Sequence, residues 1–472
     1  MKNKKKRVLI VGAGVAGEMV VAEVLNHPEI EQEIVGLVDD DPGKLGKSVY
    51  GKIVLGSSDD IYKICQESKI EEILIAIPSA NGKVVRSIIE KCKMTKANFK
   101  IVPGIYKIIT GDVHINQIRE VLPEDLLGRE MVRTNFEEIG SFLKNKRVLI
   151  TGGGGSIGSE LGKQLAKFKL EKLIILDHNE NNIYFTEIEL LKNNPNLSLE
   201  AIIADIKDYQ RIEQVFQDYI PNIIFHAAAH KHVPLMERYP EEAVKNNIFG
   251  TKNLMEISHK YKVEKFILIS TDKAVNPTSV MGATKRVAEL LKQLYEGGST
   301  KFISVRFGNV LGSNGSVVPL FKKQIQKGGP ITITHPEVER YFMTIQEAVS
   351  LIIQASAIGK GEEVFVLDMG QQIKIVNLAK VLITLSGMIP EEDIEIKFVG
   401  LRPGEKISEE LLTQKESLSS TKYEKIFVAC PDNISKEKIK ESIINLEKLS
   451  KKEDIVKILK DILINYKPSL FK

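Results

Sequence analysis

The chain alternates short apolar runs with longer amphipathic stretches over most of its length. Apolar runs rich in Val, Ile and Leu predict buried strands, and apolar positions three to four residues apart predict helices between them. The run from Lys265 to Ile269 predicts one such strand, and a helical pattern follows from Val280 past Leu291. This alternation predicts an α/β fold with parallel sheets.

The first unit of this pattern carries a glycine-rich turn. A predicted strand, Arg7 to Val11, leads into a GxGxxG segment at Gly12 to Gly17 and then a helix. The next strand, Ile34 to Val38, ends in Asp39, and further strands are predicted at Glu72 to Ile77 and Phe99 to Val102. A carboxylate about 20 residues after such a turn is typical of dinucleotide-binding folds. The pattern favours nucleotide binding. A Rossmann-like domain that keeps the loop for packing, or that binds a regulatory ligand, would have the same pattern.

A second, tighter glycine motif begins at Thr151. Its TGxxGxxG spacing places glycine at positions 152, 155 and 158, followed by a helix to about Phe168. The strand Leu173 to Leu176 ends in Asp177, which would accept hydrogen bonds from ribose hydroxyls and repel a 2′-phosphate, favouring NAD over NADP. The strand Ala201 to Ala204 ends in Asp205, placed to meet an adenine edge. The small residues Ala227 to Ala229 would let the backbone lie close to a flat cofactor.

These patterns predict four segments. We expect a Rossmann-like nucleotide-binding domain at 1–103, an ordered connector at 104–145, a catalytic domain at 146–415 and a C-terminal helical segment at 416–472. The catalytic domain comprises a dinucleotide-binding part and a less regular, substrate-binding part. The Lys/Glu-rich runs of the last segment predict solvated helix faces.

Composition excludes several classes of protein. The chain has 472 residues, 43% hydrophobic and 27% charged, with a net charge of only +4, which gives no indication of nucleic-acid binding. Its three cysteines are Cys65, Cys92 and Cys430; they are far apart, predict no cysteine-based metal site and indicate a reducing compartment. The clustered histidines at 226, 230 and 232 lack neighbouring acidic or cysteine ligands, so we predict no metal site there either.

The basic N-terminus, Met1 to Arg7, followed by an apolar run could pass for a signal peptide. Glu18 interrupts that run, and the run predicts a strand entering a glycine loop. No apolar run reaches the roughly 18 residues that a membrane span needs. We therefore expect a cytoplasmic protein without a membrane span.

Three phrases resemble a known family. They are Ala227 to Glu237 (AAAHKHVPLME), Ser270 to Arg286 (STDKAVNP continuing into MGATKR) and Leu401 to Leu411 (LRPGEK followed by EEL). Together they resemble the configuration-retaining UDP-N-acetylglucosamine 4,6-dehydratases, a polysaccharide-biosynthesis branch of the extended short-chain dehydrogenase/reductases. The resemblance covers about residues 7 to 415. Long members of that subgroup begin with transmembrane helices that this sequence lacks, so it resembles their cytoplasmic portion alone.

The resemblance implies a fold and a reaction. The fold is α/β with two Rossmann-like domains, the second an extended short-chain dehydrogenase/reductase fold with a C-terminal substrate-binding portion. The reaction converts UDP-N-acetylglucosamine to UDP-2-acetamido-2,6-dideoxy-α-D-xylo-hexos-4-ulose, a 4-keto-6-deoxy sugar. Tightly bound NAD takes hydride from C4 and returns it to C6, so the cofactor is regenerated in each cycle. A homo-oligomer is expected.

The resemblance also implies site residues. The catalytic set is Thr271, Asp272, Lys273, Met281 and Lys285. The cofactor-binding set is Gly152, Gly155, Ser156, Ile157, Gly158, Asp177, Asp205, Ile206, Ala227, Ala228, Ala229 and Lys285. The substrate-binding set is Lys231, His232, Asn246, Arg306, Asn309 and Arg402, of which Arg306, Asn309 and Arg402 are predicted to hold the pyrophosphate, since arginine suits bidentate phosphate contacts.

The implied roles constrain the protonation of two side chains. Asp272, as the acid that protonates the departing C6 hydroxyl, must be neutral, so its pKa must rise from about 3.9. Lys273, as the base at C5, must lose its proton, so its pKa must fall from roughly 10.4 toward roughly 7–8. Adjacent strand residues point to opposite faces, so both can reach one sugar only if the strand has ended.

Two questions stay open. The wider family uses tyrosine where this chain has Met281, whose sulfur is only a weak acceptor, so the C4 hydroxyl proton goes to Thr271 with water or Lys285. Two other functions are a UDP-sugar 4-epimerase, which needs that tyrosine and no elimination pair, and a non-enzymatic nucleotide sensor. The intact glycine loop and the Thr271 to Lys273 set favour the dehydratase.

Overall fold

The computed structural model describes residues 5–27, 31–78, 80, 82–102, 119–121, 135–413, 417–429, 434–448 and 451–468. They belong to two compact units, Met1–Glu130 and Met131–Lys472. Most of the predicted connector at 104–145, together with Cys430, lies outside the described residues. Within the described residues no helix combines the length and apolar character that crossing a membrane requires.

The first unit is built around one seven-stranded sheet with the strand order β3-β4-β2-β1-β5-β6-β7. Strands β1, β2, β5 and β6 pair in parallel, because helices connect them. The strands are Lys6–Val11 (β1), Gln32–Val38 (β2), Ser48–Val49 (β3), Lys52–Gly56 (β4), Glu72–Ile75 (β5), Asn98–Ile101 (β6) and Arg119–Glu120 (β7). The helices are Val15–Asn26 (α1), Ile61–Glu67 (α2) and Gly82–Lys93 (α3).

The second unit contains a nine-stranded sheet with two smaller sheets beside it. The strands of the large sheet are Arg147–Thr151 (β8), Lys172–Asp177 (β9), Leu199–Ile203 (β10), Ile223–His226 (β11), Lys265–Ile269 (β12), Lys301–Arg306 (β13), Val364–Leu367 (β17), Leu418–Ser420 (β20) and Ile426–Ala429 (β21). The smaller sheets contain Asn309–Val310 (β14), Ile331–Ile333 (β15), Glu339–Met343 (β16), Gln372–Lys374 (β18) and Ile396–Phe398 (β19).

Helices cover both faces of the large sheet, which explains its near-continuous apolar strands. Two buried clusters of apolar side chains separate the sheet from these helices. The helices of this unit are Phe136–Leu143 (α4), Ser156–Leu165 (α5), Glu180–Asn193 (α6), Tyr209–Tyr219 (α7), Val233–Arg238 (α8), Pro240–Ala243 (α9), Thr251–Lys260 (α10), Val280–Leu291 (α11), Val317–Gln326 (α12), Ile345–Ile358 (α13), Ile375–Leu385 (α14), Lys436–Glu447 (α15) and Lys452–Ile462 (α16).

The strand order of the large sheet creates a cleft. The order is β10-β9-β8-β11-β12-β13-β17-β21-β20, so the chain leaves β8 in one direction and resumes at β11 on its other side. All neighbours from β10 to β17 are parallel. Ligands of open α/β sheets bind at the carboxyl ends of strands next to such a reversal. The segments after β8, β11 and β12 therefore occupy the expected position for a site.

Helix α11 is buried along its entire length. Ser279 caps it by accepting a hydrogen bond from the Gly282 N–H, and Glu237 accepts one from the Val280 N–H. Apolar side chains of α15 and α16, including Leu459, belong to the same buried cluster as α11. The charged residues of the C-terminal segment thus lie on helices whose other face contributes to the core.

The predicted α/β class with parallel sheets is confirmed by this architecture. The predicted strand Lys265 to Ile269 and helix from Val280 agree with β12 and α11. Other features were not predicted. A wider, π-helical turn at Val244–Gly250 joins α9 to α10. Strands β20 and β21 extend the large sheet in antiparallel orientation.

Packing of α16 against the core makes a testable prediction. Replacing the fully buried Leu459 by alanine leaves a cavity, so the free energy of unfolding should fall by about 2–5 kcal/mol. The exposed Ile464, just beyond the same helix, provides the control, and Ile464→Ala should change that free energy by less than about 0.5 kcal/mol. Urea unfolding followed by circular dichroism would measure both; equal effects would contradict the packing described here.

Candidate active site

A cavity of about 770 Å³ lies at the carboxyl ends of β8, β11, β12 and β13. It brings together most of the predicted site residues. Those that line it are Gly152, Gly155, Ser156, Ile157, Gly158, Ala227, Ala229, Lys231, His232, Thr271, Lys273, Met281, Lys285, Asn309 and Arg402. The predicted residues absent from its lining are Asp177, Asp205, Ile206, Ala228, Asn246, Asp272 and Arg306.

The glycine loop after β8 forms one end of the cavity. Gly152 has a φ of +69°, and a Cβ there would lie 2.6 Å from the Ala228 backbone nitrogen. A Cβ on Gly158 would lie 2.0 Å from the Gly152 carbonyl oxygen, so this tight turn requires glycine at both positions. The N-cap of α5 is Gly155, which carries no side chain, and residues in the first turn of this helix line the cavity. Such a helix N-terminus can bind a phosphate group.

Two carboxylates flank this end without lining the cavity. Asp177, at the end of β9, accepts hydrogen bonds from the backbone N–H groups of Gly154 (3.1 Å) and Asn179 (2.9 Å). Asp205 accepts one from the Lys207 N–H at 2.9 Å. Ile206 is buried beside Gly250. Contacts of these side chains with a ribose or an adenine therefore stay predictions.

The chain turns sharply after β12. The strand ends at Ile269, and Thr271 caps a 3₁₀ turn formed by Asp272–Ala274. The Thr271 hydroxyl donates a hydrogen bond to Asp272 Oδ1 at 2.9 Å, and Lys273 Nζ donates one to the same oxygen at 3.0 Å. Lys273 Nζ also donates to Asn309 Oδ1 at 3.0 Å. Because β12 ends before Asp272 and Lys273, these two side chains are not forced to opposite faces of a strand, as a shared role requires.

Thr271, Asp272 and Lys273 differ in their access to the cavity. Asp272 is fully buried, whereas Thr271 and Lys273 line the cavity and the Lys273 side chain is 21% exposed. Any group bound in the cavity therefore meets the hydroxyl and the amine first. The carboxylate lies behind them and communicates with the cavity through its two hydrogen bonds.

The charge state of Lys273 corrects one expectation. Burial lowers the pKa of this amine, but the carboxylates of Asp272 and Glu409 raise it by more, so its pKa lies above the usual value. The sequence argument required the opposite direction. The structure instead contains an ion pair, Lys273 with Asp272, because two acidic side chains surround one amine. A neutral Lys273 requires that one of these negative charges first be removed.

The face of α11 turned toward the cavity presents Met281 and Lys285. Lys285 Nζ donates a 2.7 Å hydrogen bond to the Ile269 carbonyl oxygen, and burial lowers its pKa to about 8. His226 is fully buried between the hydroxyls of Thr151 and Thr251, at 2.7 and 2.9 Å. Burial, aided by the charge of Lys285, holds the pKa of His226 well below its usual value.

The histidine therefore remains neutral and lies within the wall beneath the cavity. Among the described residues, no group of three His, Cys, Asp or Glu side chains is arranged to hold a metal ion.

Arg306 was predicted to contact a pyrophosphate, and the structure shows that this prediction was wrong. Its side chain is fully buried and donates to both carboxylate oxygens of Glu289, at 2.8 and 2.7 Å. Arg286 and Ser270 also donate to Glu289. Burial raises the pKa of Glu289, but the two arginines bring it far below its usual value. The guanidinium group therefore joins β13 to α11 and cannot reach the cavity.

Asn246 was also predicted to bind substrate, but it lies in the π-helical turn, buried, and donates to Asn247 Oδ1 at 3.1 Å. The neighbouring Asn247 has a clearer positioning role. It accepts a hydrogen bond from the His230 N–H and donates to the His230 carbonyl oxygen and the Thr284 hydroxyl. It therefore holds the loop after β11 against α11, and no sequence signal distinguished it from Asn246.

Basic residues after β11 and β19 also line the cavity. Lys231 and His232 follow β11, and burial lowers the pKa of each. Arg402 lies on the exposed loop after β19 and lines the cavity. Lys231 and Arg402 are exposed and can bind an anionic group, whereas Arg306 is fully buried.

Two buried residues beside Lys273 were not predicted. Arg340 on β16 donates to the carbonyl oxygens of Glu339, Lys406 and Ile407. Glu409 lies within 3.6 Å of Lys273 Nζ and 3.9 Å of the Arg340 guanidinium group. Glu409 follows the LRPGEK phrase, which gave a signal for this segment, whereas an isolated arginine in an apolar strand gave none.

The parallel sheet and the cavity at the carboxyl ends of its strands define a ligand-binding α/β protein with a Rossmann-like fold. A family model described as "Polysaccharide biosynthesis protein" matches residues 148–431, and one described as "CoA-binding domain" matches residues 1–103. The chain belongs to the polysaccharide biosynthesis protein family.

Three relatives illustrate this membership. The chain is 46% identical to the capsular polysaccharide biosynthesis protein CapD of Staphylococcus aureus, covering 96% of this chain and 76% of CapD. It is 47% identical to the probable polysaccharide biosynthesis protein EpsC of Bacillus subtilis, covering 89% and 71%. A UDP-glucose 4-epimerase of Rickettsia rickettsii is 36% identical, covering 58% and 79%.

Two solved structures are similar to this chain. The X-ray structure of Pen from Bacillus thuringiensis has a TM-score of 0.57 at 35% identity, covering 64% of this chain and 98% of that one. The dTDP-glucose 4,6-dehydratase DesIV of Streptomyces venezuelae, with NAD and TYD bound, has a TM-score of 0.50 at 20% identity, covering 56% and 88%. The DesIV likeness shows the fold alone.

The different positions of Arg306 and Arg402 can be tested by stability. Arg306→Met removes one partner of a buried ion pair, so the free energy of unfolding should fall by about 3–5 kcal/mol. The matched Arg402→Met should change it by less than about 0.5 kcal/mol, because that side chain is exposed. Urea unfolding measures both. Equal stability of the two variants would contradict the buried pair.

Proposed function

We propose that this protein is an NAD-dependent UDP-N-acetylglucosamine 4,6-dehydratase serving bacterial polysaccharide synthesis. The reaction would convert the substrate to UDP-2-acetamido-2,6-dideoxy-α-D-xylo-hexos-4-ulose and water. The observation that carries this proposal is the arrangement at Asp272, where a hydroxyl and an amine that line the cavity bind one buried carboxylate oxygen. Elimination of water needs an acid and a base close together, and this arrangement supplies both.

The residues at the glycine-loop end fit a dinucleotide. Gly152 and Gly158 form a tight turn in which a Cβ would clash with neighbouring backbone, as in a glycine loop that binds a dinucleotide. The first turn of α5 can bind that pyrophosphate, and Asp177 lies at the strand end where a ribose-binding carboxylate belongs. Bound NAD would supply the hydride acceptor for C4 and the hydride donor for C6, so that none is consumed.

Thr271 offers an outlet for the C4 hydroxyl proton without a tyrosine. Its hydroxyl already donates to Asp272 Oδ1, so it can accept the substrate proton while passing its own to the carboxylate. Asp272 then becomes the neutral acid that the next step requires. Lys285, held by the Ile269 carbonyl oxygen, adds a positive charge nearby that favours loss of this proton.

Protonation of Asp272 also changes Lys273. It removes one of the two negative charges that raise the pKa of the amine, and burial then favours the neutral form. Lys273, which is partly exposed, releases its proton to solvent and becomes a base. It takes the C5 proton while the proton held by Asp272 passes through the Thr271 hydroxyl, which lines the cavity, to the departing C6 hydroxyl and gives water. This elimination regenerates the Asp272–Lys273 ion pair seen in the structure.

The last step adds hydride at C6 and a proton at C5. Lys273, now an ammonium group, returns its proton to C5 and is reprotonated by solvent. Over the cycle the C4 hydroxyl proton passes through Asp272 to the released water, and the lysine exchanges one proton with solvent in each direction. Atoms and charges therefore balance with no external oxidant or reductant.

The accessible cations of the cavity, Lys231 and Arg402, would hold the UDP group. Arg402 is accessible and can form the bidentate contacts that suit a pyrophosphate. Lys231 provides a second cation in the same cavity. Asn309, predicted to share this role, lines the cavity and also accepts a hydrogen bond from Lys273 Nζ, which helps to fix the amine.

A UDP-sugar 4-epimerase is the second candidate, favoured by the 36% identity to the Rickettsia protein. An epimerase needs a group that exchanges the C4 hydroxyl proton but no acid–base pair for C5 and C6. Met281 lines the cavity where a tyrosine would serve, and its sulfur cannot transfer a proton. The products differ, because an epimer keeps its C6 hydroxyl.

The proposed reaction predicts a specific product. Purified protein incubated with UDP-N-acetylglucosamine in D2O should yield a 4-keto-6-deoxy sugar carrying deuterium at C5, because Lys273 exchanges with solvent. NMR would detect both features. Asp272→Asn and Lys273→Met should each lower kcat by about 100-fold or more. The exposed Asp218→Asn serves as control; a C4 epimer, or unchanged substrate, would refute the proposal.

Arg402 should govern substrate affinity. Arg402→Ala removes a pyrophosphate contact made equally in the ground and transition states, so KM should rise by about tenfold while kcat changes little. Initial rates over a range of UDP-N-acetylglucosamine concentrations measure both constants. The matched control is Arg211→Ala, because Arg211 is exposed on α7 and does not line the cavity. An unchanged KM would remove Arg402 from the binding site.

A further inference from the structure

Glu409 is a buried carboxylate without an assigned role. Its side chain is only 3% exposed, and its neighbours are cations. Lys273 Nζ lies 3.6 Å from Oε1, the Arg340 guanidinium group 3.9 Å from the same oxygen, and Lys406 Nζ 3.6 Å from Oε2. Within the described part of the chain, Oε2 accepts no hydrogen bond. Burying such a group is costly unless a nearby charge compensates it.

Several hydrogen bonds around this carboxylate do not use it. The backbone of the Glu409 segment is held by other bonds, since Gln372 donates to the Glu409 carbonyl oxygen at 2.8 Å. Arg340 is bound by three backbone carbonyl oxygens, and Lys406 Nζ donates to the Val275 carbonyl oxygen. The Glu409 carboxylate lies as close to Lys273 Nζ as to Lys406 Nζ, so its charge also acts on the amine of the proposed reaction.

The amine of Lys273 is surrounded by three oxygen-bearing side chains from different parts of the chain. Asp272 belongs to the same turn, Asn309 follows β13, and Glu409 follows the LRPGEK segment. Asp272 is the member whose charge changes during the proposed reaction. Glu409 faces Lys273 but does not line the main cavity, so its charge can persist throughout the cycle.

We infer that Glu409 is a positioning residue that holds the Lys273 amine beside Asp272 and stabilises the ammonium group formed when Lys273 takes a proton from substrate. This inference rests on the proposed function for its catalytic consequence and on geometry alone for its effect on the amine. It assigns the third family phrase a role in proton transfer as well as in substrate binding.

The groups that face Lys273 set the sign of the expected effect. Asp272 and Glu409 favour its charged form, and Arg340 opposes it. Removing the Glu409 charge leaves Asp272 as the nearest anion, so the amine should lose its proton at lower pH. An opposite charge within about 4–6 Å changes a pKa by roughly 1–3 units, which gives the expected size.

The direct test is an NMR titration of Lys273 in the full-length protein. Lysine labelled with ¹³C at Cε reports the charge of each amine, and Lys273→Met identifies the relevant signal. In Glu409→Gln this signal should titrate about 1–3 pH units lower than in wild type. Glu410→Gln, which alters the exposed neighbouring carboxylate, should leave the titration unchanged. An unchanged titration in Glu409→Gln would overturn the inference.

Kinetics then separate this role from a structural one. With UDP-N-acetylglucosamine, Glu409→Gln should move the alkaline-going rise of kcat to lower pH and lower its plateau by roughly tenfold, because the amine is a weaker base. KM should stay within about twofold, since Glu409 does not line the main cavity. Glu409→Asp keeps the charge and should restore most of the wild-type profile.

The two proposals fail in different ways. If wild-type protein shows no turnover, the proposed reaction is wrong, and the NMR titration still decides the effect of Glu409 on the amine. If wild type is active and the pH profile of Glu409→Gln coincides with it, the positioning role is wrong and the dehydratase proposal stands. A variant that loses kcat with an unchanged pH profile also overturns the inference, because only structural damage would explain it.

Discussion

The buried contact between Asp272 and Lys273 is the interaction on which the site depends. A fully buried carboxylate is unfavourable unless charges and hydrogen bonds compensate it, and here one oxygen receives both the Lys273 amine and the Thr271 hydroxyl. This arrangement is possible only because β12 ends at Ile269 and the chain enters a 3₁₀ turn. A change in the charge of Asp272 therefore directly affects the Thr271 hydroxyl and the Lys273 amine, which both line the cavity.

A second buried cluster of charges, centred on Glu289, stabilises the elements that carry the first. Glu289 on α11 receives hydrogen bonds from Arg306 on β13, from Arg286 and from Ser270 at the end of β12. These contacts join α11 to the two strands whose ends form the site. Since α11 is buried along its length, Met281 and Lys285 are held at constant positions relative to Thr271. The charged cluster around Glu289 thus holds the elements of the site in place, whereas the neighbouring Asp272 and Lys273 would carry out the proposed chemistry.

Much of this arrangement was predictable from sequence, for identifiable reasons. Apolar runs located β12 and its parallel neighbours, and the rule that such strands share one carboxyl edge brought Gly152, Ala227 and Thr271 to the same cavity. Residue type alone did not predict the roles of the charged side chains. Arg306 suits a phosphate and an internal carboxylate equally well, and only its burial beside Glu289 distinguishes them. The predicted fall in the pKa of Lys273 was wrong because Asp272 and, over a hundred residues away in sequence, Glu409 both favour the charged amine.

The central claim is that hydrogen leaves C4 of the sugar and returns to C6 of the same molecule. UDP-N-acetylglucosamine deuterated at C4, incubated with the protein in ordinary water, tests this directly. The account predicts a product whose C6 methyl group carries one deuterium, detected by NMR and mass spectrometry. Deuterium that remains at C4, whether in an epimer or in unchanged substrate, would contradict it.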